Sequence, residues 1–181
     1  MKKLLLLGAL CLALLLGGCG GSRAAERREG LAAALNARQD LQFTAALRAE
    51  YPDKTVRFRL RYTQDANGCA VTVLEPEEIA GISLAFRADG SQLRFEDLRL
   101  DTGPLDRYGL SPVSALPALV DALRSGHLER HWNEGELEVW ELAVSDSLRV
   151  QVWLDASLVP QRAELISEDR VAVFCEIADW Q

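Results

Sequence analysis

The chain has 181 residues, of which 49% are hydrophobic and 26% charged, and its formal net charge is −7. This length is enough for one domain with a substantial core. An acidic surface repels nucleic acid and anionic lipid headgroups, so neither is an expected partner.

The start of the chain carries the pattern of an export signal. A basic start, Met1-Lys2-Lys3, is followed by the apolar run Leu4–Leu16, which is too short to span a membrane comfortably. The run ends in Leu16-Gly17-Gly18-Cys19, which resembles the lipobox of bacterial lipoproteins. The sequence therefore predicts a signal peptide over residues 1–18, cleavage before Cys19, and lipid on the Cys19 thiol.

Lipid on Cys19 would hold the protein at the extracytoplasmic face of the cell membrane. Each buried methylene contributes about 0.8 kcal/mol, and two acyl chains hold a protein stably. Residues 19–25 include Gly20, Gly21 and Ser22 and predict a flexible tether. The remaining residues, 26–181, are predicted to form a single domain. The membrane is thus an expected partner through the lipid and not through a basic surface.

Sequence periodicity predicts a helix followed by many antiparallel strands. Residues 24–39 are rich in good helix formers. From Leu41 onward apolar and polar residues alternate, which is typical of half-buried strands. Short turns rich in Pro, Gly, Asn and Asp separate the segments, as in a meander. The nine predicted strands cover residues 41–51, 56–63, 69–74, 82–87, 93–100, 137–144, 148–154, 159–166 and 171–177.

One amphipathic helix interrupts the meander after a predicted loop over residues 101–112. Four apolar residues between Leu116 and Leu123 follow i, i+3, i+4, i+7 spacing, Ser114 is the predicted N-cap, and Gly126 marks the end. The predicted fold is α+β and mainly β. It is a curved antiparallel meander forming a half-open barrel, with an N-terminal helix and one inserted amphipathic helix.

Two cysteines, Cys69 and Cys175, remain once Cys19 is lipidated and the signal is removed. Outside the cytoplasm such a pair can form a disulfide. Both lie in apolar, strand-like segments, where a buried cysteine also behaves as a small hydrophobic residue. Spacing alone does not show whether they approach closely enough to be joined. Both interpretations stay open, and the unbridged one is favoured.

No catalytic constellation is recognisable in the sequence. His127 and His131 would share a face on a helix and could bind a metal there, but Gly126 predicts that the helix has already ended. The acidic cluster of residues 75–78 falls in a predicted turn, where a solvated surface is the ordinary role. No G-x-S-x-G, phosphate-binding loop or CxxC occurs. We therefore predict no enzymatic activity, no metal and no cofactor.

Two further groups of residues stand out. Arg57, Arg59 and Arg61 line one face of a predicted strand and could bind carboxylates or acidic headgroups. Pairing with glutamates on neighbouring strands is the preferred interpretation. Trp140 and Trp153 are out of step with the apolar alternation around them. Either the sheet is covered on both faces there, or these aromatics line a groove or interface.

The order of these elements is similar to that of the LolA/LolB-like lipoprotein carriers, especially the small membrane-anchored lipoproteins of clostridial type. The resemblance is carried by residues Val71–Ile82, Leu93–Leu98, Gly109–Pro112 and Val152–Asp155. It implies a strongly curved half-open barrel whose concave apolar face is partly closed by helices and holds acyl chains. It transfers no individual ligand-binding residue to this chain.

We therefore expect a non-enzymatic, membrane-anchored lipoprotein that binds acyl chains, other lipid or an apolar partner segment on its concave sheet face. The alternative is a protein–protein interaction module, dimeric or related to the envelope or spore germination, with a filled core and no ligand cavity. The candidate ligand-lining residues share a place on a predicted apolar face: Phe43, Leu47, Phe58, Leu60, Phe86, Leu116, Leu119 and Leu123.

Overall fold

The computed structural model describes residues 19–103 and 111–181. The predicted signal peptide and the centre of the predicted loop, residues 104–110, lie outside the described residues, as do Gly109 and Leu110 of the resemblance. In the described ranges, no helix has the length and apolar character needed to cross a membrane.

The helices are α1 (Cys19–Ala37) and α2 (Pro112–Ser125). The strands are β1 (Leu41–Glu50), β2 (Thr55–Asp65), β3 (Gly68–Glu75), β4 (Ser83–Arg87), β5 (Gly90–Phe95), β6 (Leu98–Gly103), β7 (His127–Glu134), β8 (Leu137–Ala143), β9 (Leu148–Leu154), β10 (Pro160–Ser167) and β11 (Arg170–Ala178).

All eleven strands form one antiparallel sheet in the order β6-β5-β4-β3-β2-β1-β11-β10-β9-β8-β7. The pairing of β1 with β11, with Leu47 opposite Cys175, joins the first half of the chain to the second. Strands β6 and β7 are the two edges, so the sheet is not closed into a barrel. This architecture, mainly β with two helices, confirms the predicted fold class.

The two faces of the sheet differ in what covers them. Helix α2 packs against one face, which we call the inner face; the opposite one is the outer face. On β1 the side chains of Phe43, Ala45 and Leu47 are buried with α2 in the main hydrophobic cluster, whereas Arg48 points to the other side and is exposed. This alternation follows from the two-residue period of a strand. The core therefore lies between the inner face and α2.

Two strands escape the sequence prediction. The predicted strand over residues 93–100 is in fact two strands, β5 and β6, joined by a tight turn at Glu96, whose φ is 51°. A left-handed residue is uncommon without glycine, so the sequence carries no turn signal there. Strand β7 is missed because it is an exposed edge strand rich in charge, and its alternation is broken by a bulge between Leu128 and Arg130.

Both helices begin earlier than predicted. Helix α1 starts at Cys19, so the residues predicted as a flexible tether are helical, and Ala24 among them is buried. Cleavage and lipidation at Cys19 stay predictions. The N-cap of α2 is Ser111 and not Ser114: the Ser111 hydroxyl accepts from the Ser114 N–H, and the Ser114 hydroxyl accepts from the Ser111 N–H at 3.0 Å. This is a reciprocal capping box.

Candidate apolar binding surface

The predicted ligand-lining residues come together, but in a filled core. All except Phe58 have an exposed fraction of 2% or less and belong to one cluster around α2. Phe58 is half-buried and packs against that cluster. A ligand role for the candidates stays a prediction, and the structure shows seven of them buried in the cluster around α2. They are Phe43, Leu47, Leu60, Phe86, Leu116, Leu119 and Leu123.

Aromatic stacking closes the core at the chain terminus. The Phe43 ring lies between Tyr62 and Trp180, with centroid distances of 4.9 and 4.7 Å. The Tyr62 hydroxyl donates to Gln64 Oε1 at 3.0 Å. Burial raises the pKa of the Tyr62 phenol far above its ordinary value, and nearby Cys69 raises it further. Tyr62 is thus a neutral core residue with a satisfied hydroxyl.

Two arginines fasten α2 to α1. The Arg124 guanidinium on α2 donates to the carbonyl of Leu35 on α1 at 3.1 Å. In return, Arg28 on α1 donates to the carbonyl of Gly126, the residue that caps α2. Leu35 lies in the last turn of α1, and Gly126 is the C-cap of α2. Carbonyls at these positions have no partner within their own helix, so the two arginines satisfy them. The helix pair therefore forms a fixed second layer over the inner face.

This second layer leaves one end of the inner face uncovered. The main sheet contacts of α2 are with β2, β3, β8 and β10. A row of apolar residues continues beyond it, from Val71 to Leu84, Leu93 and Leu100 on β3, β4, β5 and β6. Val71 and Leu84 are buried, Leu93 is half-buried and Leu100 is 56% exposed. The core thus continues without interruption into an open apolar surface.

We call this surface the β6 surface; its residues are Leu93, Phe95, Leu98 and Leu100. Leu98 lies opposite Phe95 and is 60% exposed, the highest value among the exposed large hydrophobic residues of the described chain. Sequence reasoning missed the surface because residues 93–100 were predicted as one strand. The exposed leucines adjoin the core, so the β6 surface is a candidate binding site.

The outer face carries a groove of about 770 Å³. It is lined by Arg57 and Arg59, with Ala46 of β1 between the longer side chains. Arg59 pairs across the strands with Glu75 at 3.7 Å, as predicted. Arg57 and Arg61 form no ion pair with another described residue, so the predicted pairing is confirmed for Arg59 alone. The exposed row of arginines remains a solvated surface.

Trp140 and Trp153 lie on opposite faces of the sheet, and each is covered on its own face. Trp140 lies in the inner-face core, and its indole donates to Glu138 at 2.8 Å. Trp153 is buried on the outer face, beneath the guanidinium of Arg162 at 3.9 Å from the ring centroid. Its indole donates to Glu134 at 2.9 Å. The sheet is therefore covered on both faces here, by α-helices inside and by long polar side chains outside.

The two histidines do not form a metal site with their neighbours. Both lie on β7, opposite Ala143 and Trp140, and both are exposed. Across residues 19–103 and 111–181, no group of three or more His, Cys, Asp or Glu side chains is placed to hold a metal ion. Both histidines thus lie on a strand and not on the helix, which ends before Gly126 as predicted. Of the acidic cluster, Glu77 and Glu78 are exposed and begin a 3₁₀ turn at residues 77–79.

The structure favours the unbridged interpretation of the two cysteines. Cys69 and Cys175 are not joined. Cys69 lies on β3 and Cys175 on β11, so three strand spacings alone amount to about 14 Å between them. They are also offset along the strands, since Cys69 lies opposite Gln64 of β2 whereas the row of Cys175 reaches β2 at Phe58. A disulfide requires Cα atoms about 4.4–6.8 Å apart. Burial raises the pKa of the Cys175 thiol to about 12, so this thiol is neutral and inert.

These features define an open antiparallel sheet around one buried helix, and solved structures share this architecture. No protein-family model matches the sequence, and no curated protein matches it. A LolA superfamily protein from Nitrosomonas europaea has a TM-score of 0.53 at 13% identity, over 87% of this chain and 92% of that chain. An uncharacterized conserved protein from Thermus thermophilus has a TM-score of 0.53 at 12% identity, over 87% and 86%. The chain therefore has the LolA-like fold, which confirms the predicted resemblance.

Proposed function

We propose that this protein is a non-enzymatic, membrane-anchored binding domain that works outside the cytoplasm. Its location at a membrane outside the cytoplasm is supported by the lipobox-like run that ends at Cys19 and by the apolar segment that precedes it. Its binding role is supported by the β6 surface, where Leu98 and Leu100 are exposed in continuity with the core. Fully burying a leucine contributes about 1.5–3 kcal/mol, so a ligand covering both would gain appreciable free energy.

The shape of the surface favours an apolar segment of a partner protein over an enclosed acyl chain. Small-molecule sites are clefts that bury most of the ligand. Here the inner face beneath α2 is filled, and the β6 surface is open at a sheet edge. An extended segment can lie along such an edge and satisfy its backbone groups as well as its leucines. An acyl chain would bind the same leucines, with less of its length covered.

A binding experiment on the soluble domain, Gly20–Gln181, tests this assignment. We expect the domain to bind a fluorescent fatty acid and an apolar, extended test peptide, with tighter binding of the peptide. The double variant Leu98→Ser/Leu100→Ser should lose at least about tenfold in affinity for both, because its apolar area is removed. Val171→Ser is the matched control, since Val171 is exposed on β11, away from β6.

The binding of the double variant distinguishes a site on the β6 surface from an acyl site beneath α2. Equal binding by the double variant and the unchanged domain would show that the β6 surface is not the site. Native mass spectrometry of the domain from a lipid-containing host would then reveal whether a lipid lies under α2. Loss of such a lipid in Leu119→Glu, with the fold retained by circular dichroism, would support an acyl site beneath the helix.

The anchor and the absence of catalysis have separate tests. We expect cells fed an alkyne fatty acid to label the full chain, and Cys19→Ser to abolish the label and release the protein from the membrane. Cys69→Ser is the control, since it should leave the label in place. Turnover of ester, amide or glycoside model substrates by the soluble domain would contradict the non-enzymatic part of the proposal.

A further inference from the structure

The two edges of the sheet are protected to different degrees. Edge strands expose unpaired backbone groups, and proteins usually guard them with charges, bulges or coverings. Strand β7 is guarded in this way, by charged side chains such as Glu129 and by its bulge before Arg130. Strand β6 instead exposes Leu98 and Leu100 on its inner face. The charges of β6, Arg99 and Asp101, lie on the outer face, and its irregularity lies beyond Asp101, so the pairing of the described strand is regular from Leu98 to Asp101.

The charges on the outer face of β6 form a self-complementary pair. Arg99 and Asp101 flank Leu100 and lie on the same face. Within the sheet, Arg99 lies opposite Arg94 of β5, and a like charge directly across a ladder is unfavourable. Arg99 forms no ion pair with any other residue that the structure describes. An acidic residue on a strand paired with the open edge of β6 would lie beside Arg99 and offset its repulsion from Arg94.

We propose that β6 pairs antiparallel with β6 of a second copy of this chain, about a two-fold axis at Leu100. In this register Arg99 lies opposite the partner's Asp101, and Asp101 lies opposite the partner's Arg99. The two Leu100 side chains meet on the inner face at the axis. The pairing joins two sheets edge to edge, which brings the two β6 surfaces side by side.

The charges of β6 favour the register centred on Leu100 over the registers centred on the residues beside it. A two-fold axis at Arg99 would place Arg99 against Arg99 and Asp97 against Asp101. An axis at Asp101 would place the two Asp101 carboxylates together. Opposite charges across a ladder stabilise it and like charges destabilise it, so only the register centred on Leu100 has favourable pairs on both sides. Because one short strand buries little area, the association belongs to the weak class of interfaces.

The test uses sedimentation equilibrium of the soluble domain over a wide concentration series, without added ligand. We expect the unchanged domain to dimerise reversibly. Arg99→Asp and Asp101→Arg should each weaken self-association at least tenfold, since each places like charges across the axis. Mixed in equal amounts, the two variants should form a heterodimer, because every cross-strand pair is then opposite in charge. The double variant R99D/D101R should again self-associate.

Controls separate this pairing from general stickiness. Glu129→Lys, on the other edge strand, should leave the association unchanged. Leu100→Cys should form a disulfide between two copies at the axis, whereas Val171→Cys should not. Monomers at every concentration, or single-charge variants that associate like the unchanged domain, would overturn the proposal. Since no ligand is present, the result reports self-association alone; an extended peptide paired with β6 would occupy the same edge and compete with the dimer.

Discussion

Glu134 shows how a single exposed carboxylate can cover a buried aromatic residue. It ends β7 and accepts from the Trp153 indole at 2.9 Å and from Arg162 at 3.0 Å. Arg162 in turn lies over the Trp153 ring, a favourable cation–π arrangement. The hydrogen bond from Trp153, followed by that from Arg162, lowers the pKa of the Glu134 carboxyl below its ordinary value. Three polar groups thus replace an apolar layer on the outer face.

The lowered pKa predicts a pH-dependent loss of stability. Because the ionised form of Glu134 is favoured in the folded state, its contribution is present above the unfolded-state pKa. That contribution is lost as the pH falls through the folded-state pKa. We expect Glu134→Gln to lower the free energy of unfolding at neutral pH, and the difference to shrink on acidification below about pH 4. Urea unfolding at several pH values measures this, and a difference independent of pH would contradict it.

Glu136→Gln is the matched control for that series. Glu136 lies in the same turn region, is exposed, and makes no hydrogen bond or ion pair with the other described residues. The variant should change the free energy of unfolding by no more than about 0.5 kcal/mol, as is usual for surface positions without partners.

Cys175 and Cys69 predict a distinct pattern of thiol reactivity. The soluble domain, which lacks Cys19, should show both thiols when it is unfolded without reductant. In the folded domain the thiol of Cys175 should react at least about tenfold more slowly than that of half-buried Cys69, because it is buried and its pKa is about 12. Reaction with a chromogenic disulfide reagent measures both rates. No thiol in the unfolded, unreduced chain would mean that the cysteines had paired.

At the scale of elements, helix α2 depends on its neighbours more than on its own sequence. It has 14 residues, close to the length at which an isolated helix is marginal in water. Pro117 lies inside it and cannot donate a backbone hydrogen bond. The capping box at Ser111 and the hydrogen bonds through Arg124 and Arg28 compensate at its two ends. Packing from the sheet on one side and α1 on the other supplies the rest.

The hydrogen bond between Arg124 and the Leu35 carbonyl yields a second stability prediction. Arg124→Met keeps much of the apolar stem and removes the donor, which leaves a part-buried carbonyl without this partner. We expect a loss of about 1–2 kcal/mol in the free energy of unfolding. Arg38→Met is the control, because Arg38 is exposed and makes no hydrogen bond or ion pair with another described residue. Equal stability of the two variants by urea unfolding would show that the hydrogen bond does not hold the helices together.

On the scale of the whole molecule, the inner face divides into a filled part and the β6 surface. The filled part contains Leu119, which has no exposed surface, whereas Leu98 at the open end is 60% exposed. The same sheet thus carries a core that maintains the fold and an apolar surface that contributes little to it. This division should let the residues of the β6 surface vary without loss of the fold.

Because of this division, the same leucine-to-alanine substitution should change the free energy of unfolding by very different amounts in the filled part and in the β6 surface. Leu119→Ala should lower the free energy of unfolding by about 2–5 kcal/mol, through lost burial and a cavity. Leu98→Ala should cost less than about 1 kcal/mol, since most of the side chain is already in water. Chemical unfolding of both variants measures the contrast. A large loss at Leu98 would mean that its side chain is covered in solution.

The sequence by itself determined the elements whose signal is local. The alternation from Leu41 onward predicted β1 and β2, because a strand buried on one face alternates polar and apolar residues. The stripe around Leu119 predicted α2 for the equivalent reason at helical spacing. Only the tertiary structure decided that α2 fills the inner face, that Cys69 and Cys175 lie apart, and that β6 is a separate edge strand. The first two outcomes depend on which elements become neighbours, and contact between residues distant in the chain leaves no mark in the local pattern of either one. The split of β6 from β5 depends on a left-handed turn at Glu96, for which the sequence offers no glycine.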